Sequence, residues 1–496
     1  MKRQLFLPIG PIAALLLYFA LEHLGHAQAA MAGTVLWMAI WWISEAVAIP
    51  VTSLLPIVLF PLLGITSLST AAAFYGKDTT FLFIGGFLLA LGVERSGLHN
   101  RIALMIVARI GASPSRLILG TLLATGFLSM WINSTAAVLV MLPIGLSLVG
   151  QAKGHARLGT ALALAVAYGA TIGGMATPVG TPPNLVMIAL WKQQFPDQPP
   201  IGFGQWMLFG VPYALLFLLL TWGLMIHVMF RMPGPATVDR KQLRAELNAL
   251  GPAGRDEKLA GLVFAITALL WITGDRIDFG GSFVFPGWRA AIGLKELGDP
   301  AVGMIGGLVL FLIPSKRSTS AEAAEGDPGS PQGSGRGSLL DWSFAEARIP
   351  WGVVLLIGSG FAIAGGIDAS GLSSTIGSAL ASWRAGSETL QIGATAISVT
   401  LLSELGSNTA VASLVLPILA RTAEVWHMAP LTILMPATLA ASCGFMLPIA
   451  SPMQAIVFAS GQLTVKQMVK AGVWMDLLGV LLLMGLWALL GSAVFG

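Results

Sequence analysis

The feature that most limits the possible folds of this chain is a succession of apolar runs, each long enough to cross a membrane. A spanning helix needs about 20 mostly apolar residues, and such runs recur along the whole sequence. Of the 496 residues, 55% are hydrophobic and only 10% are charged, whereas soluble domains carry about 25% charged residues. The sequence therefore predicts an all-α polytopic membrane protein, and a water-soluble or disordered chain is excluded.

We predict about eleven transmembrane helices from these runs. They fall at roughly 6–22, 32–49, 51–65, 79–96, 157–193, 207–230, 258–275, 300–314, 349–370, 430–462 and 471–494. Two further apolar stretches, about 115–150 and 389–420, are interrupted near the middle by small polar residues. We interpret each of these stretches as a re-entrant helical hairpin that enters and leaves on the same side of the membrane.

The distribution of basic residues predicts the orientation of the chain. With the N-terminus inside and no net crossing from the hairpins, 20 of the 27 Lys and Arg residues lie in inside loops and 7 lie outside. This excess agrees with the positive-inside rule. Because eleven crossings follow an inside N-terminus, the C-terminus is expected outside. The net charge of +4 is spread over so apolar a chain that it forms no patch for nucleic acid.

An internal repeat is the most informative motif. LSMWINSTAAVLVMLPI at 128–144 corresponds to LSELGSNTAVASLVLPI at 402–418, and GGMATPVGTPPN at 173–184 corresponds to CGFMLPIASPMQ at 443–454. The pairs occur in the same order. Because an odd number of predicted crossings separates equivalent elements, the two repeats are expected to face opposite ways across the membrane.

The repeats predict the domain organisation. An N-terminal helix and loop (1–31) precede a first inverted repeat at 32–230, and a second repeat follows at 258–494. Between them, residues 231–257 suggest a basic amphipathic helix on the cytoplasmic surface, although a solvated loop explains them equally well. Within the second repeat, residues 316–340 are rich in Ser, Gly, Pro and Ala and predict a flexible cytoplasmic linker.

Inverted repeats are typical of secondary transporters, which bind substrate between the repeats near the bilayer midplane. Here each repeat combines a hairpin with a helix broken at a Gly/Pro-rich run, at 157–193 and at 430–462. We expect the polar tips of the two hairpins to meet. An enzyme is not predicted, because no metal-ligand spacing and no Ser/His/Asp grouping occurs at membrane depth. A channel is also disfavoured, because inverted hairpins suit alternating access.

The polar residues of these motifs are all neutral. The hairpin tips contribute Ser129, Asn133, Ser134, Thr135, Ser403, Ser407, Asn408 and Thr409, and the broken helices add Thr177, Gly180, Thr181, Asn184, Ala450, Ser451 and Gln454. Hydroxyl, amide and carbonyl oxygens suit a hard cation such as sodium, whereas helix N-termini suit an anion. Without Arg or Lys, a buried anion needs co-bound cations. Close helix packing is the alternative explanation for each small residue taken alone.

Glu404 lies next to the second hairpin tip. Two roles are equally compatible with its position: it braces the tip, or it senses whether the cation is bound.

Together these motifs resemble those of the divalent anion/sodium symporter family. The resemblance covers nearly the whole chain and is carried by the two hairpin tips and by WWISEAVAIPVTSLLPIVLFPLLG (41–64), ATPVGTPPN (176–184), IPWGVVLLIGSG (349–360) and LPIASP (447–452). It implies a homodimer in which each protomer has a scaffold domain and a transport domain that moves as an elevator.

The resemblance also implies the site residues. The first sodium site would use Ser129, Asn133, Ser134 and the backbone at Gly180, and the second would use Ser403, Ser407, Asn408 and the backbone at Ala450. The substrate carboxylates would contact Ser134, Thr135, Asn408 and Thr409, with Thr181 and Pro452 lining the same place. The sequence departs from the family pattern at the first tip, which has Asn133 and Ser134 where the family has Ser-Asn. It departs again at 451–454, where Ser-Pro-Met-Gln replaces a Thr-Pro-Pro-Asn type.

The expected function is import of a C4-dicarboxylate such as succinate, fumarate or malate across the bacterial inner membrane, with Na+ as the coupling ion and lipid around a homodimer. The alternatives within the same family are a sodium-independent dicarboxylate exchanger and a carrier for citrate or sulfate.

Overall fold

The computed structural model describes residues 2–111, 113–149, 156–230, 245, 247–278, 284–294, 296–315, 337–380 and 386–495. Most of these residues are helical. The first helices are α1 (Lys2–Leu21), α2 (His26–Ser44), α3 (Ile49–Thr52), α4 (Leu55–Leu62), α5 (Leu68–Ala73), α6 (Asp78–Ser96), α7 (Leu98–Ile110), α8 (Pro114–Ser129), α9 (Ser134–Val149), α10 (Ala156–Gly174), α11 (Pro182–Gln194) and α12 (Phe203–Leu224).

The second half continues the helical pattern. Its helices are α13 (Arg255–Ile272), α14 (Trp288–Ala291), α15 (Asp299–Leu312), α16 (Trp342–Arg348), α17 (Trp351–Ser370), α18 (Leu372–Leu380), α19 (Glu388–Glu404), α20 (Asn408–Val425), α21 (Pro430–Ala441), α22 (Pro452–Ala459), α23 (Val465–Leu486) and α24 (Ser492–Phe495). Two-residue strands β1 (Ile277–Asp278) and β2 (Val284–Phe285) pair antiparallel. Turns of 3₁₀-helix lie at Glu22–Leu24 and Phe74–Gly76, and π-helical turns lie at Met225–Met229 and Trp487–Gly491.

The helices confirm an all-α membrane protein. In the described part of the chain, six helical stretches are long and apolar enough to cross a membrane: Phe6–Leu24, His26–Ser44, Leu68–Ser96, Phe203–Met229, Trp351–Ser370 and Val465–Phe495. Shorter apolar helices lie at Ile49–Leu62, Ser134–Leu146, Asp299–Leu312 and Pro430–Ala441. Several predicted spans are therefore divided into shorter helices.

Two hairpins and two broken helices occupy the repeat motifs. Helices α8 and α9 turn back on each other at 130–133, and α19 and α20 do so at 405–407. The break between α10 and α11 spans 175–181, and the break between α21 and α22 spans 442–451. These four interruptions fall where the sequence places its Gly/Pro-rich and small polar residues.

Small residues allow these elements to pack with their backbones almost in contact. A Cβ atom on Gly173 of α10 would lie only 2.6 Å from the carbonyl carbon of Gly126 in α8. A larger residue would force the two helices apart. In a membrane, where helices associate by close packing rather than by the hydrophobic effect, such contacts fix the hairpin against the broken helix.

Some helices differ from the predicted spans. The predicted span at 51–65 is interrupted at Ser53 and Leu54, between α3 and α4. Helices α7 and α18 were not predicted, because both are amphipathic rather than uniformly apolar. Arg101 of α7 shows why: its guanidinium donates to the carboxylate of Glu257 at 2.8 Å.

The two polar segments between spans are only partly described. Residues 231–244 and 246 of the predicted amphipathic segment, and 316–336 of the predicted linker, lie outside the described residues. Helix α13 begins at Arg255, three residues before the predicted start of the second repeat. The last predicted linker residues pair with the preceding helix end, through a bridge between Ser338 and Pro314.

Candidate functional site

The first hairpin tip is joined to the first broken helix by serine hydroxyls. The Ser129 hydroxyl lies 2.8 Å from the Ser134 hydroxyl and donates to the carbonyl of Ala170 at 2.6 Å. The Ser134 hydroxyl lies 3.3 Å from the carbonyl oxygen of Gly180. Ser129 is fully buried. Hydroxyl and carbonyl oxygens from α8, α9, α10 and the break after α10 are thus gathered in one place.

The second tip repeats this arrangement. The Ser403 hydroxyl donates to the side-chain oxygen of Asn408 at 2.8 Å and also approaches the carbonyl of Ala441 at 2.5 Å. The Asn408 amide nitrogen donates to the carbonyl of Ser442 at 3.4 Å. Ser403, like its repeat partner Ser129, is fully buried. The two halves therefore share their contacts as well as their sequence pattern.

The exchange of Asn and Ser at the first tip has a structural consequence. The Asn133 side-chain oxygen accepts the backbone N–H of Thr135 at 2.8 Å and so caps the start of α9. The repeat partner of Asn133 is Ser407, which makes no side-chain cap to α20. At the position that contacts the buried serine, the first half has the short hydroxyl of Ser134 and the second half has the longer amide of Asn408.

A second set of hydrogen bonds stabilises the break of the first broken helix. The Asn184 amide donates to the carbonyls of Gly174 at 3.1 Å and Thr177 at 2.7 Å. The Thr177 hydroxyl donates in turn to the carbonyl of Met130 at 2.5 Å, in the hairpin tip. The carbonyls left free by the break therefore find partners inside the protein, as burial at membrane depth requires.

Both tips and both breaks line one cavity of about 300 Å³. Its lining comprises Asn133, Ser134, Thr135, Val179, Gly180, Thr181 and Pro182 from the first repeat motifs; Ser407, Asn408, Thr409, Ser451, Pro452 and Met453 from the second; and Ile49, Pro50, Phe83, Phe87, Pro350, Gly352, Val353 and Leu356 from other helices. None of these lining residues is charged. A volume near 300 Å³ is at the small end of the range for ligand sites.

Four helices begin at this cavity. Helix α9 starts at Ser134, α11 at Pro182, α20 at Asn408 and α22 at Pro452, and these residues are all among the lining residues. Each helix N-terminus carries unpaired N–H groups and a partial positive charge. Neither α11 nor α20 has a side-chain cap. The cavity is therefore suited to an anion although it holds no Lys or Arg.

Most of the predicted site residues line the cavity directly. These are Ser134, Thr135, Thr181, Asn408, Thr409, Pro452, Asn133, Gly180 and Ser407. Ser129 and Ser403 lie behind the tips, in hydrogen-bond contact with Ser134 and Asn408. Ala450 is fully buried in the second break and is not a lining residue.

The opposite wall was not predicted as part of the site. It is apolar and comes from α3, α6, α17 and the residues before α17, with Phe83 and Phe87 stacked edge to face. Such residues carry no polar signal in the sequence. The internal repeat does include Phe83 and Phe87, in a third and weaker pair between 81–98 and 354–372, but that pair contains nothing that distinguishes a cavity wall from any other apolar helix.

Glu404 braces the second broken helix. Its carboxyl oxygens accept the backbone N–H groups of Met446 at 2.7 Å and Leu447 at 3.0 Å, and the residue is 2% exposed. Both N–H groups belong to the non-helical break, where they have no helical partner. Of the two roles left open by the sequence, the contacts favour bracing.

Taken together, the helical bundle, the paired hairpin tips and the broken helices around an uncharged cavity define the class of secondary transporters. The family model described as "Sodium:sulfate symporter transmembrane region" matches residues 3–495. The chain belongs to this family, whose members are transporters and not enzymes.

Two staphylococcal proteins are similar in sequence to this chain over most of their length. A protein of Staphylococcus saprophyticus named "Sodium-dependent dicarboxylate transporter SdcS" is 35% identical over 96% of this chain and 89% of its own length. The protein of the same name from Staphylococcus aureus is 36% identical over 96% of this chain and 88% of its own.

Two solved transporter structures share the fold at low sequence identity. The YdaH transporter of Alcanivorax borkumensis is 15% identical, with a TM-score of 0.57 over 86% of this chain and 89% of that chain. MtrF of Neisseria gonorrhoeae, described as illuminating a class of antimetabolite efflux pumps, is 13% identical, with a TM-score of 0.57 over 87% of this chain and 84% of that chain. At these identities the likeness concerns the fold alone.

Proposed function

We propose that this protein is a sodium-coupled secondary transporter that imports C4-dicarboxylates such as succinate, fumarate or malate. The observation that carries the proposal is the convergence of four helix N-termini on one uncharged cavity. The names of the staphylococcal relatives, which specify sodium dependence and a dicarboxylate, support it.

The proposed substrate contacts follow from the two tips. One carboxylate binds at Ser134 and Thr135 and the other at Asn408 and Thr409, so that each meets a hydroxyl or amide donor at the start of a helix. Thr181 and Pro452, at the starts of α11 and α22, complete the lining. Two helix N-termini at each end supply positive potential where a dicarboxylate carries negative charge.

Sodium is proposed to bind behind the tips. At the first site the available oxygens are the hydroxyls of Ser129 and Ser134, the Asn133 amide and the carbonyl of Gly180. At the second site the available oxygens are the hydroxyls of Ser403 and Ser407, the Asn408 amide oxygen and the backbone carbonyls near Ala450. Because each site shares a residue with the substrate contacts, binding of sodium orders the donors that hold the carboxylate and neutralises part of its charge.

Movement is proposed to follow the elevator scheme in a homodimer embedded in lipid in a bacterial inner membrane, with the N-terminus inside and the C-terminus outside. The division of the cavity lining supports such a scheme. One wall consists of the polar tips and breaks, and the other is the apolar face of α3, α6 and α17. A polar element that slides along an apolar wall breaks no hydrogen bond across the cavity.

Uptake into proteoliposomes tests the coupling directly. With an inward sodium gradient and an empty lumen, we expect labelled succinate to accumulate, and we expect replacement of sodium by choline to reduce uptake to the level of protein-free vesicles. Uptake that requires internal dicarboxylate instead of sodium would identify an exchanger. Competition by unlabelled citrate or sulfate tests the remaining substrate alternatives.

Voltage dependence tests the number of sodium ions. With two sodium ions for each doubly charged substrate, transport is electroneutral, and uptake at clamped potassium-diffusion potentials should be the same at every potential. A third sodium ion would move one net charge inward, which adds about 2.3 kcal/mol of driving force per 100 mV. Faster uptake at an inside-negative potential would therefore contradict the two-site proposal.

The single thiol of the chain reports on the second break. Cys443 is 1% exposed, and its sulfur contacts the carbonyl of Leu439 at 3.4 Å. We expect a maleimide to label it slowly, because the break must open first. Sodium and succinate at about ten times their Kd should make labelling about tenfold slower.

A matched control places an exposed thiol on the neighbouring helix. In Cys443→Ser/Ala459→Cys, the new thiol lies at the exposed end of α22, and labelling should be fast and insensitive to ligands. If Cys443 were labelled at a rate indifferent to sodium and substrate, the break would be static and would take no part in binding.

A further inference from the structure

A basic cavity lies away from the substrate site, where α10 and α23 begin and α12 ends. It has a volume of about 520 Å³. Its lining consists of Arg157, Thr160, Val228, Met229, Phe230, Gln467, Lys470, Ala471 and Trp474. None of these residues is acidic, and no ion pair of Arg157 or Lys470 occurs within the described ranges.

The basic residues lie at unfavourable ends of their helices. Arg157 is the second residue of α10, and Lys466 and Lys470 lie in the first two turns of α23. Neither helix has an acidic residue in its first turn. A cation at a helix N-terminus opposes the helix dipole, whereas an anion there is stabilised. Two helix N-termini and the two lining cations, Arg157 and Lys470, thus contribute positive potential to the same cavity.

The ends of the two helices are held together, so the cavity is preformed. The Thr160 hydroxyl of α10 donates to the carbonyl of Gln462, in the turn before α23, at 3.0 Å. At the start of α23, Thr464 and Gln467 form a reciprocal capping box. These hydrogen bonds hold in place the helix ends that carry Arg157 and Lys470.

The apolar part of the lining indicates which kind of anion fits. Trp474 is 45% exposed and Val228 is 48% exposed, on the outer surface of an apolar bundle. Trp474 lies one turn beyond Lys470, about 6 Å along α23. Tryptophan favours the boundary between lipid chains and headgroups. An anion at Arg157 and Lys470 would thus lie at headgroup depth, with an apolar path beside it.

We propose that this cavity binds a phosphate-bearing anion, and that its source is the headgroup of an anionic phospholipid. The Arg157 guanidinium offers paired donors that match phosphate oxygens, and Lys470 adds a second charge. The acyl chains would lie along Trp474 and Val228. Basic pockets between membrane helices are a recognised form of lipid site. The proposal does not depend on the substrate assigned to the central cavity.

The test is a lipid titration of the purified full-length chain in detergent, followed by thermal unfolding. Phosphatidylglycerol is expected to raise the unfolding temperature of the wild type in a saturable way, and phosphatidylcholine is not. In Arg157→Gln/Lys470→Gln the half-saturating concentration should rise roughly 30-fold. The control Arg109→Gln/Arg116→Gln removes the same charge from exposed positions outside the cavity and should titrate like the wild type.

The other results separate the possible ligands. If inorganic phosphate stabilises the wild type, competes with phosphatidylglycerol and loses its effect in the double variant, the ligand is a soluble anion and the lipid assignment is overturned. A double variant that titrates with phosphatidylglycerol like the wild type overturns the site itself. If the double variant does not fold, the single variants Arg157→Gln and Lys470→Gln replace it, each with an expected weakening of about fivefold.

Discussion

Replacing Asn408 by Ala is expected to reduce succinate uptake to below about 1% of the wild-type rate. The amide of Asn408 accepts the Ser403 hydroxyl at 2.8 Å and donates to the Ser442 carbonyl at 3.4 Å, and it lines the central cavity. Alanine removes both hydrogen bonds and a donor to the substrate carboxylate. A loss of about 1 kcal/mol for each of these three interactions corresponds to a decrease of roughly 100-fold.

The measurement is sodium-driven uptake at equal amounts of reconstituted protein. Asn100→Ala makes the same substitution in α7, outside the cavity, and should transport normally. Gel filtration and thermal unfolding establish that both variants are folded. Uptake by Asn408→Ala within about threefold of the control would exclude Asn408 from both the cation and the substrate site, because a single hydrogen bond already accounts for a larger loss.

The repeat makes the same experiment informative in the first half. Ser134 occupies the position of Asn408, but its hydroxyl has a single hydrogen to share among the Ser129 hydroxyl at 2.8 Å, the Gly180 carbonyl at 3.3 Å and the proposed substrate, whereas the Asn408 amide has an acceptor oxygen and two N–H donors. Ser134→Ala therefore removes less than Asn408→Ala does. We expect a smaller decrease, about tenfold. The two halves are related in sequence, yet they contribute unequally because the amide has moved to the capping position at Asn133.

The sequence was sufficient to locate the hairpins and breaks because their signals are local. A run of Ser, Thr and Asn inside an apolar stretch offers the backbone competing hydrogen bonds, and a Gly/Pro-rich run such as 176–184 lacks N–H donors at its prolines, so both favour an interruption of the helix. The repetition of both signals in the same order also indicated that they belong to one site. The contacts of Ser129 with Ala170 and of Ser403 with Ala441 repeat in the same way.

What the sequence could not provide depends on the packing of distant segments. Phe83 and Phe87 face the tips only because α6 packs beside α11 and α17, and their apolar character is shared with many residues that face lipid. Helix α7 was not predicted for a related reason. Its charged residue Arg101 looks like a loop residue until Glu257, which follows 156 positions later, is seen to pair with it.

Glu404 illustrates the same limit within the site. The sequence places a carboxyl group one residue after Ser403 and offers no partner for it nearby. Its partners include the backbone N–H groups of Met446 and Leu447, which follow 42 and 43 residues later. Backbone groups carry no sequence signal of their own, so bracing and cation sensing could not be separated before the structure was known.

Replacing Glu404 by Ala is therefore expected to loosen the second break and to abolish most transport. The substitution leaves two buried N–H groups without acceptors, at a cost of about 1–3 kcal/mol each. Hydrogen–deuterium exchange should accelerate at the amides of Met446 and Leu447 by at least about tenfold. Sodium-driven uptake should fall more than about tenfold, because the same break carries Ala450 and leads into the cavity-lining start of α22.

Two variants make this result specific. Glu404→Gln retains one acceptor oxygen but turns its NH₂ group toward the second N–H, so its exchange rate and uptake should lie between those of the wild type and Glu404→Ala. Glu388→Ala removes the same charge from the exposed start of the same helix and should change neither. If exchange at the break were unchanged in Glu404→Ala while the sodium concentration for half-maximal uptake rose, the carboxyl would act through the cation and the bracing role would be wrong.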